Sequence, residues 1–209
     1  MSNILLLGGT GAMGQHLVHL LKDNGYNVYV TSRNQRTSFD NVTYIQGNAR
    51  DIEFLNTVLN MRPWNVIVDF MVYNSSEFAS RVEKLLSSCG QYIFLSSSRV
   101  YANCQSEINE SSPRLLDVCV DSQYIKTDEY ALAKAREENI LFSQNSKNWT
   151  IIRPYITYSE SRLQLGVSEI GGWLYRALKG RTIVFSDDIA GHLTTLTYGY
   201  DVACGMLLS

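Results

Sequence analysis

Tyr130 and Lys134 lie four residues apart in the segment KTDEYALAKAREEN, residues 126–139. A helix predicted over 127–145 brings residues at this spacing onto one face, where their side chains can interact. A phenol with its ordinary pKa of about 10 is a poor base at neutral pH, and a neighbouring ammonium group favours the phenolate. The two side chains are therefore either a proton-transfer pair or a surface pair that stabilises a helix.

Three serines, Ser96, Ser97 and Ser98, close the strand predicted over 91–98. The carboxyl end of a parallel strand is where an open α/β sheet binds its ligands. A hydroxyl group at this position can hold the carbonyl or hydroxyl oxygen of a substrate. The serines are therefore candidate partners of Tyr130.

The segment GGTGAMG, residues 8–14, contains the spacing GxGxxG and follows an apolar run of strand length. Glycines allow the backbone to turn tightly and to approach a pyrophosphate, whose charge is stabilised by the N-terminus of the next helix. A strand before the loop and a helix after it are the context that this fingerprint requires, which favours a dinucleotide site over a turn without a ligand. The residues that we expect to contact the cofactor are Gly8, Thr10, Gly11, Ala12, Met13 and Gly14.

The end of the second predicted strand, in the segment VTSRNQR, indicates which nucleotide is bound. An acidic residue there would bind the adenosine ribose hydroxyls of NAD. This chain instead has Ser32 and Arg33 at that place, with Arg36 nearby. A guanidinium group can bind a 2′-phosphate through two hydrogen bonds, so we expect NADP in preference to NAD.

Apolar runs of strand length alternate with segments of helical period along the chain. Continuous Val, Ile and Leu strands separated by helices indicate a parallel sheet with helices on both faces. Right-handed crossovers then give an α/β fold with a doubly wound, Rossmann-type sheet. We predict strands at 3–8, 27–32, 42–46, 65–71, 91–98 and 149–154, and helices after residue 14 and at 51–60, 76–88 and 127–145.

Length and composition limit the classes of protein to consider. The 209 residues suffice for one core, or for one core with a small added lobe. The formal net charge of -2 gives no electrostatic reason to expect nucleic acid or an anionic membrane as a partner. The first apolar run is too short to cross a bilayer. The 4 cysteines lack metal-binding spacing, which favours reduced thiols in a cytoplasmic protein without a metal site.

Four motifs stand in the order found in extended short-chain dehydrogenases/reductases: GGTGAMG, FLSSSRVY, YALAK and IIRP. Over about residues 3–207 the chain resembles the NAD(P)-dependent epimerase/dehydratase family, whose best-known members act on nucleotide sugars. The resemblance implies that Tyr130 transfers the substrate proton and that Lys134 activates it and binds the nicotinamide ribose. It also implies that Ser97, four residues before Tyr101, is the hydroxyl that binds the substrate, in preference to the serine beside it.

Weaker parts of the resemblance extend the expected cofactor site. Asn48 and Ala49 occupy the place of a turn that contacts adenine, and Pro154 the place of a proline that lines the nicotinamide. The segment VDFMVYN places three further residues on the cofactor side, where relatives have small side chains in place of its bulky methionine and valine. These residues are Phe70, Met71 and Val72.

The resemblance implies hydride exchange at a carbinol or ketone of a small-molecule substrate, either a nucleotide sugar or a similar compound. Ser98 and Arg99 stand where a dehydratase carries an Asp–Glu pair, so an epimerase or a reductase is favoured over a dehydratase. Ile156 replaces an Asn that is common in sugar-nucleotide enzymes, which leaves the substrate open. A catalytically silent NAD(P)-binding regulator, or an RNA-binding member of the superfamily, is the alternative.

We expect two regions, a NAD(P)-binding Rossmann domain over 1–155 and a partial substrate-binding lobe over 156–209, interleaved with it. Asp201 has the character of a helix N-cap, and the sequence ends soon after it, which favours a truncated lobe. Two predicted helices carry apolar residues that supply either the interface of a homodimer or ordinary faces against the sheet. These residues are Val82, Leu85, Leu86, Leu132, Ile140 and Leu141.

Overall fold

The structure, a computed structural model, describes residues 1–104 and 107–209. The strands are β1 (Asn3–Leu7), β2 (Asn27–Ser32), β3 (Val42–Gln46), β4 (Trp64–Asp69), β5 (Cys89–Leu95), β6 (Trp149–Ile152), β7 (Ile156–Tyr158), β8 (Gln164–Leu165), β9 (Ser168–Glu169) and β10 (Leu196–Tyr198). The α-helices are α1 (Gly14–Asp23), α2 (Ile52–Leu59), α3 (Ser75–Ala79), α4 (Val82–Ser87), α5 (Leu115–Val118), α6 (Ser122–Ile125), α7 (Tyr130–Ser143), α8 (Ile170–Leu178), α9 (Asp187–Ala190) and α10 (Gly199–Leu208). A short 3₁₀ helix covers Ser98–Val100.

Six strands form a parallel sheet in the order β3-β2-β1-β4-β5-β6. The direction in which strands are added reverses between β1 and β4. The carboxyl ends of these two strands therefore flank the switch point, where open α/β sheets bind ligands. The order and the parallel pairing confirm the predicted doubly wound, Rossmann-type α/β fold.

Apolar side chains form a separate core on each face of the sheet. Leu55 of α2, Phe78 of α3 and Leu141 of α7 are buried in one core. Leu17 of α1 and Met206 of α10 are buried in the other. Because both faces are covered, the central strands have little need of polar side chains, and they read in the sequence as continuous apolar runs.

The helix predicted over 76–88 is instead divided into α3 and α4, with Ser80 and Arg81 between them. The guanidinium group of Arg81 lies 4.4 Å from the ring centroid of Tyr73. It also donates a hydrogen bond of 2.8 Å to the backbone carbonyl of Glu77. These contacts hold the side chain of Arg81 inside the protein, at 4% exposure, and they fix the break between the helices.

The segment after β6 forms a small lobe and then returns to the sheet. β7 and β10 pair in parallel, β8 and β9 form a short antiparallel pair, and α8 follows β9. The last helix has Tyr198 as its N-cap, so the expectation that Asp201 caps it is wrong. Its first residue, Gly199, packs closely on the glycine loop, since a Cβ there would lie 2.3 Å from the carbonyl oxygen of Ala12. The division into residues 1–155 and 156–209 stays a prediction, and α10 packs on α1 in the first region.

The apolar residues considered for a dimer interface serve the core of this chain. Five of them are at most 4% exposed, and Ile140 packs against the same core. These residues therefore belong to helix faces that cover the sheet, the second of the two alternatives predicted from the sequence. The five are Val82, Leu85, Leu86, Leu132 and Leu141. Across residues 1–104 and 107–209, none of the helices combines the length and the apolar character needed to span a membrane.

Candidate active site

A cavity of about 660 Å³ opens at the carboxyl ends of the central strands. Ser97, which follows β5, lines it together with Tyr130 and Lys134 of α7. Met13 of the glycine loop and Pro154, which follows β6, line the same cavity. The folded chain thus brings together residues that are more than a hundred positions apart in sequence.

The glycine loop leaves room for a ligand at the N-terminus of α1. Gly8 has a φ of 72°, a left-handed conformation that favours glycine. A Cβ on Gly14 would lie 2.5 Å from the carbonyl carbon of Gly9, so this position needs glycine to bring helix and loop together. A Cβ on Gly11 would have no neighbour within 4 Å among the described residues. This open backbone, beside a helix N-terminus, fits a pyrophosphate group.

Lys134 is a buried lysine held by a buried glutamate. Its side chain is 2% exposed, and its amine donates a hydrogen bond of 2.9 Å to Oε2 of Glu137, three residues further along α7. The amine also lies 4.5 Å from the ring centroid of Phe94 on β5. Burial raises the pKa of Glu137 to about 7, although the nearby ammonium of Lys134 acts in the opposite direction.

Asp69, at the end of β4, is a second buried carboxylate near Lys134. It accepts hydrogen bonds from the hydroxyl of Tyr92 at 2.8 Å, the hydroxyl of Tyr73 at 3.1 Å and the backbone N–H of Met71 at 2.9 Å. Burial raises the pKa of Asp69, and these donors together with the charge of Lys134 oppose that effect. The pKa values of both tyrosines are raised well above their usual value, chiefly by burial.

The three serines after β5 have different environments. Ser96 donates a hydrogen bond of 2.6 Å to Glu138, so its hydroxyl is committed to the protein. Ser97 Oγ accepts from the backbone N–H of Arg99 at 3.2 Å, and its own hydrogen has no acceptor among the described residues, so it can be donated into the cavity. Ser98 Oγ is buried without a partner among the described residues, and Ser98 is not part of the cavity wall. These environments support Ser97 as the hydroxyl that would meet a substrate.

Tyr130 is the first residue of α7, next to two ion pairs. The guanidinium group of Arg99 lies 5.6 Å from the centroid of the Tyr130 ring and donates a hydrogen bond of 2.7 Å to Glu129. Glu129 in turn caps the helix by accepting from the N–H of Ala131 at 2.8 Å. Arg162, paired with a glutamate of β9, lines the cavity as well. Two arginines, each paired with a glutamate, thus lie in the wall of the cavity around Tyr130.

Glu138 anchors the segment just after β6, which contains Pro154. Its two carboxylate oxygens each accept a hydrogen bond of 2.8 Å from Arg153. Arg114 donates a third, of 3.2 Å, to the same carboxylate. Glu138 is fully buried, and the side chains of the two arginines are at most 15% exposed. This network ties α7 to the end of β6, next to the cavity.

The remaining predicted cofactor residues divide into two groups. Phe70, Met71 and Val72 line the cavity. The sulfur of Met71 reaches the glycine loop, since a Cβ added to Gly8 would lie 2.7 Å from it. The second group lies outside the cavity wall, at the carboxyl ends of β2 and β3, where the adenosine half of a dinucleotide is expected. These residues are Ser32, Arg33, Asn48 and Ala49.

Glu137 and Asp69 are the two residues of this site that sequence reasoning missed. Glu137 follows Lys134 by three positions, which places both on one face of the helix. Asp69 ends the strand at the switch point, where a carboxylate within an apolar run is unusual. Both signals are present in the sequence, but a charged stretch such as KAREEN is more often a solvated helix face.

Comparison with known proteins identifies the relatives of the chain. The model of the NAD dependent epimerase/dehydratase family matches residues 4–208. The Epimerase family protein YfhF of Bacillus subtilis (strain 168) is 51% identical over 45 residues, which are 21% of this chain. Those residues span only 15% of that protein's own length.

Solved structures share the fold over nearly the whole chain. The enzyme WbmH of Bordetella bronchiseptica, in complex with NAD+, superimposes with a TM-score of 0.76 at 14% identity, over 100% of this chain and 72% of that one. The UDP-glucuronic acid 4-epimerase from Bacillus cereus, in complex with NAD, gives a TM-score of 0.71 at 16% identity, over 98% of this chain and 71% of that one. At these identities the likeness is one of fold.

Proposed function

Because the chain belongs to the NAD dependent epimerase/dehydratase family, we propose that it binds a nicotinamide dinucleotide and exchanges a hydride with a carbinol or ketone carbon of a small molecule. The observation that carries this proposal is the meeting of Ser97, Tyr130 and Lys134 in one cavity that borders the glycine loop. A hydroxyl, a phenol and an amine at one cavity are the groups that a carbonyl reduction and its reverse require.

The residues present fit the dinucleotide. The backbone of Gly8–Gly14 and the N-terminus of α1 would hold the pyrophosphate, and Met13 and Pro154 would border the nicotinamide end. The bound cofactor would supply the hydride acceptor and donor. The site lies at the switch point between β1 and β4, where an open α/β sheet binds its ligands.

The side chains of the cavity would move the proton and bind the substrate and the ribose. Tyr130 would give the proton to, or take it from, the reacting oxygen of the substrate. Lys134 would supply positive charge beside the phenol and bind the ribose hydroxyls. Ser97 would donate a hydrogen bond to the same substrate oxygen and so fix its position. Arg99 and Arg162, each paired with a glutamate, line the cavity and would bind a negatively charged part of the substrate by exchanging that partner.

A nucleotide sugar is the substrate class that we favour, with a reductase or an epimerase preferred to a dehydratase. A related solved structure is named as a UDP-glucuronic acid 4-epimerase, which supports this class. That structure and the structure of WbmH are complexes with NAD, which supports binding of NAD(H). We further propose a preference for NADP, because Arg33 and Arg36 are exposed beyond β2, where their guanidinium groups would bind a 2′-phosphate.

A catalytically silent cofactor-binding regulator is the second candidate. Two observations favour it: the amine of Lys134 is paired with Glu137, and Met71 reaches the glycine loop. Fluorescence titration with NADH and NADPH, followed by assays against keto-sugar nucleotides and small ketones, separates the two. Turnover that is lost in Tyr130→Phe supports the enzyme. Cofactor binding without turnover of any of these substrates supports the regulator.

A further inference from the structure

The two neighbouring glutamates of α7 are both fully buried, but they have different surroundings. Glu138 accepts hydrogen bonds from Ser96 and from two arginines, which satisfies both of its oxygens. Glu137 has Lys134 as its hydrogen-bond donor, and its Oε1 has no partner among the described residues. A buried carboxylate with so few donors is costly to fold and needs a reason other than stability.

The charged groups around Glu137 come from three parts of the chain. Lys134 and Asp128 approach it from its own segment, Asp69 from the end of β4, and Tyr92 from β5. Asp69 has three donors of its own and is therefore the better stabilised of the two buried anions. Two buried carboxylates thus share one buried amine, and Glu137 is the one that can hold or release a proton at little cost in hydrogen bonds.

We propose that Glu137 is a positioning residue for Lys134: it anchors the amine at the wall of the cavity, and its own proton decides how much positive potential that amine presents to a bound dinucleotide. When Glu137 is protonated, it does not compensate the positive charge of Lys134. When Glu137 is ionised, it neutralises that charge. The inference rests on the proposed function, because it takes the cavity to be the cofactor site.

Fluorescence titration of the full chain with NADH, from pH 5.5 to pH 8.5, tests the proposal. NADH is an anion, so its dissociation constant should rise by about tenfold as Glu137 ionises, with a midpoint near the pKa of about 7. Glu137→Gln imitates the protonated form and still accepts from Lys134. Its dissociation constant should stay at the low-pH value of the wild type throughout. Glu137→Ala removes the anchor and should weaken binding at every pH.

Glu138→Gln is the matched control, since it removes a buried carboxylate from the same helical turn without touching Lys134. It should retain the inflection near pH 7. A wild-type dissociation constant that is flat between pH 6 and pH 8, or an inflection that survives in Glu137→Gln, would overturn the positioning role and leave the proposed function standing. Failure of the wild type to bind NADH or NADPH at any pH would overturn both.

Carbon-13 NMR of the glutamate carboxyl groups provides a readout that does not depend on the cofactor. One resonance should titrate with a midpoint of about 7 in the wild type and be absent from Glu137→Gln. If every glutamate titrates below pH 5.5, Glu137 carries no proton at neutral pH and the proposal is wrong. The NMR measurement shows whether Glu137 holds a proton at neutral pH, independently of whether the cavity binds a cofactor.

Discussion

The amine of Lys134 donates a 2.9 Å hydrogen bond to the carboxylate of Glu137, and both side chains are at most 2% exposed. A buried ion pair of this kind adds little to stability, because the cost of removing both charges from water offsets their attraction. The pair is therefore better explained by the cavity that Lys134 lines than by the free energy of folding. The protonation of Glu137 also sets the net charge of this pair, since Lys134 is its hydrogen-bond donor.

The first prediction concerns the pH dependence of stability. The pKa of Glu137 is raised from 4.5 to about 7 in the folded chain, so the stabilising effect of its proton is full below pH 4.5 and is lost as pH rises through about 7. Glu137→Gln cannot lose that proton. The stability of the variant relative to the wild type should therefore increase as the pH rises from 5 to 8, as measured by urea unfolding at each pH.

Glu77→Gln provides the comparison for this measurement. The hydrogen bond from Arg50 lowers the pKa of Glu77, so that carboxylate is ionised in both folded and unfolded chains above pH 5. Its stability difference from the wild type should be constant over the same range. A constant difference for Glu137→Gln as well would show that Glu137 has no raised pKa.

The second prediction concerns the network around Glu138. Glu138→Gln leaves Arg153 and Arg114 largely buried beside a neutral amide, and breaking a buried ion network costs about 3 kcal/mol in the free energy of unfolding. Glu169→Gln removes an exposed partner of Arg162 and should cost less than about 1 kcal/mol. Urea unfolding at pH 7 measures both values. Equal losses in the two variants would contradict the buried network.

The strands of the sheet could be predicted from the sequence because burial on both faces leaves an uninterrupted apolar signal. The lobe after β6 could not, since β7 pairs with β10, which lies almost forty residues further along the chain. Glu137 and Glu138 show the same limit within the site. They read as a solvated charged pair, and Arg153, which pairs with Glu138, follows β6, where the local sequence gives no indication of the contact.

The third prediction concerns Tyr130. Tyr130→Phe removes the hydroxyl that would move the proton but keeps the ring, so turnover should fall by about 10²- to 10⁴-fold. NADH affinity should change by less than about threefold, since the ring still fills its place at the cavity wall. The loss is measured as the rate of NADH oxidation with keto-sugar nucleotides. Tyr26→Phe, outside the cavity, is the control, and equal rates in both variants would remove Tyr130 from the mechanism.

The fourth prediction concerns the choice between NADP and NAD. Arg33 is exposed just beyond β2, where a 2′-phosphate on the adenosine ribose would lie. Arg33→Ala should weaken NADPH binding by about tenfold and leave NADH binding within about twofold, because a charge-assisted hydrogen bond is lost only with NADPH. Arg181→Ala, in the lobe, should change neither value. Equal weakening for the two cofactors in Arg33→Ala would contradict the preference for NADP.

The last prediction separates two glycines of one loop by their surroundings. A Cβ on Gly14 would overlap the backbone of Gly9 at 2.5 Å, so Gly14→Ala should lower the free energy of unfolding by about 1–3 kcal/mol. A Cβ on Gly11 would meet no atom within 4 Å of the described chain, so Gly11→Ala should fold with nearly unchanged stability.

The same Cβ on Gly11 would occupy the space where a pyrophosphate approaches the backbone, so NADH binding should weaken by about tenfold or more in that variant. Thermal unfolding and NADH titration of both variants measure the two effects independently. A Gly11→Ala protein that is stable and binds NADH like the wild type would show that the loop holds no pyrophosphate, because the added methyl group would then project into solvent alone.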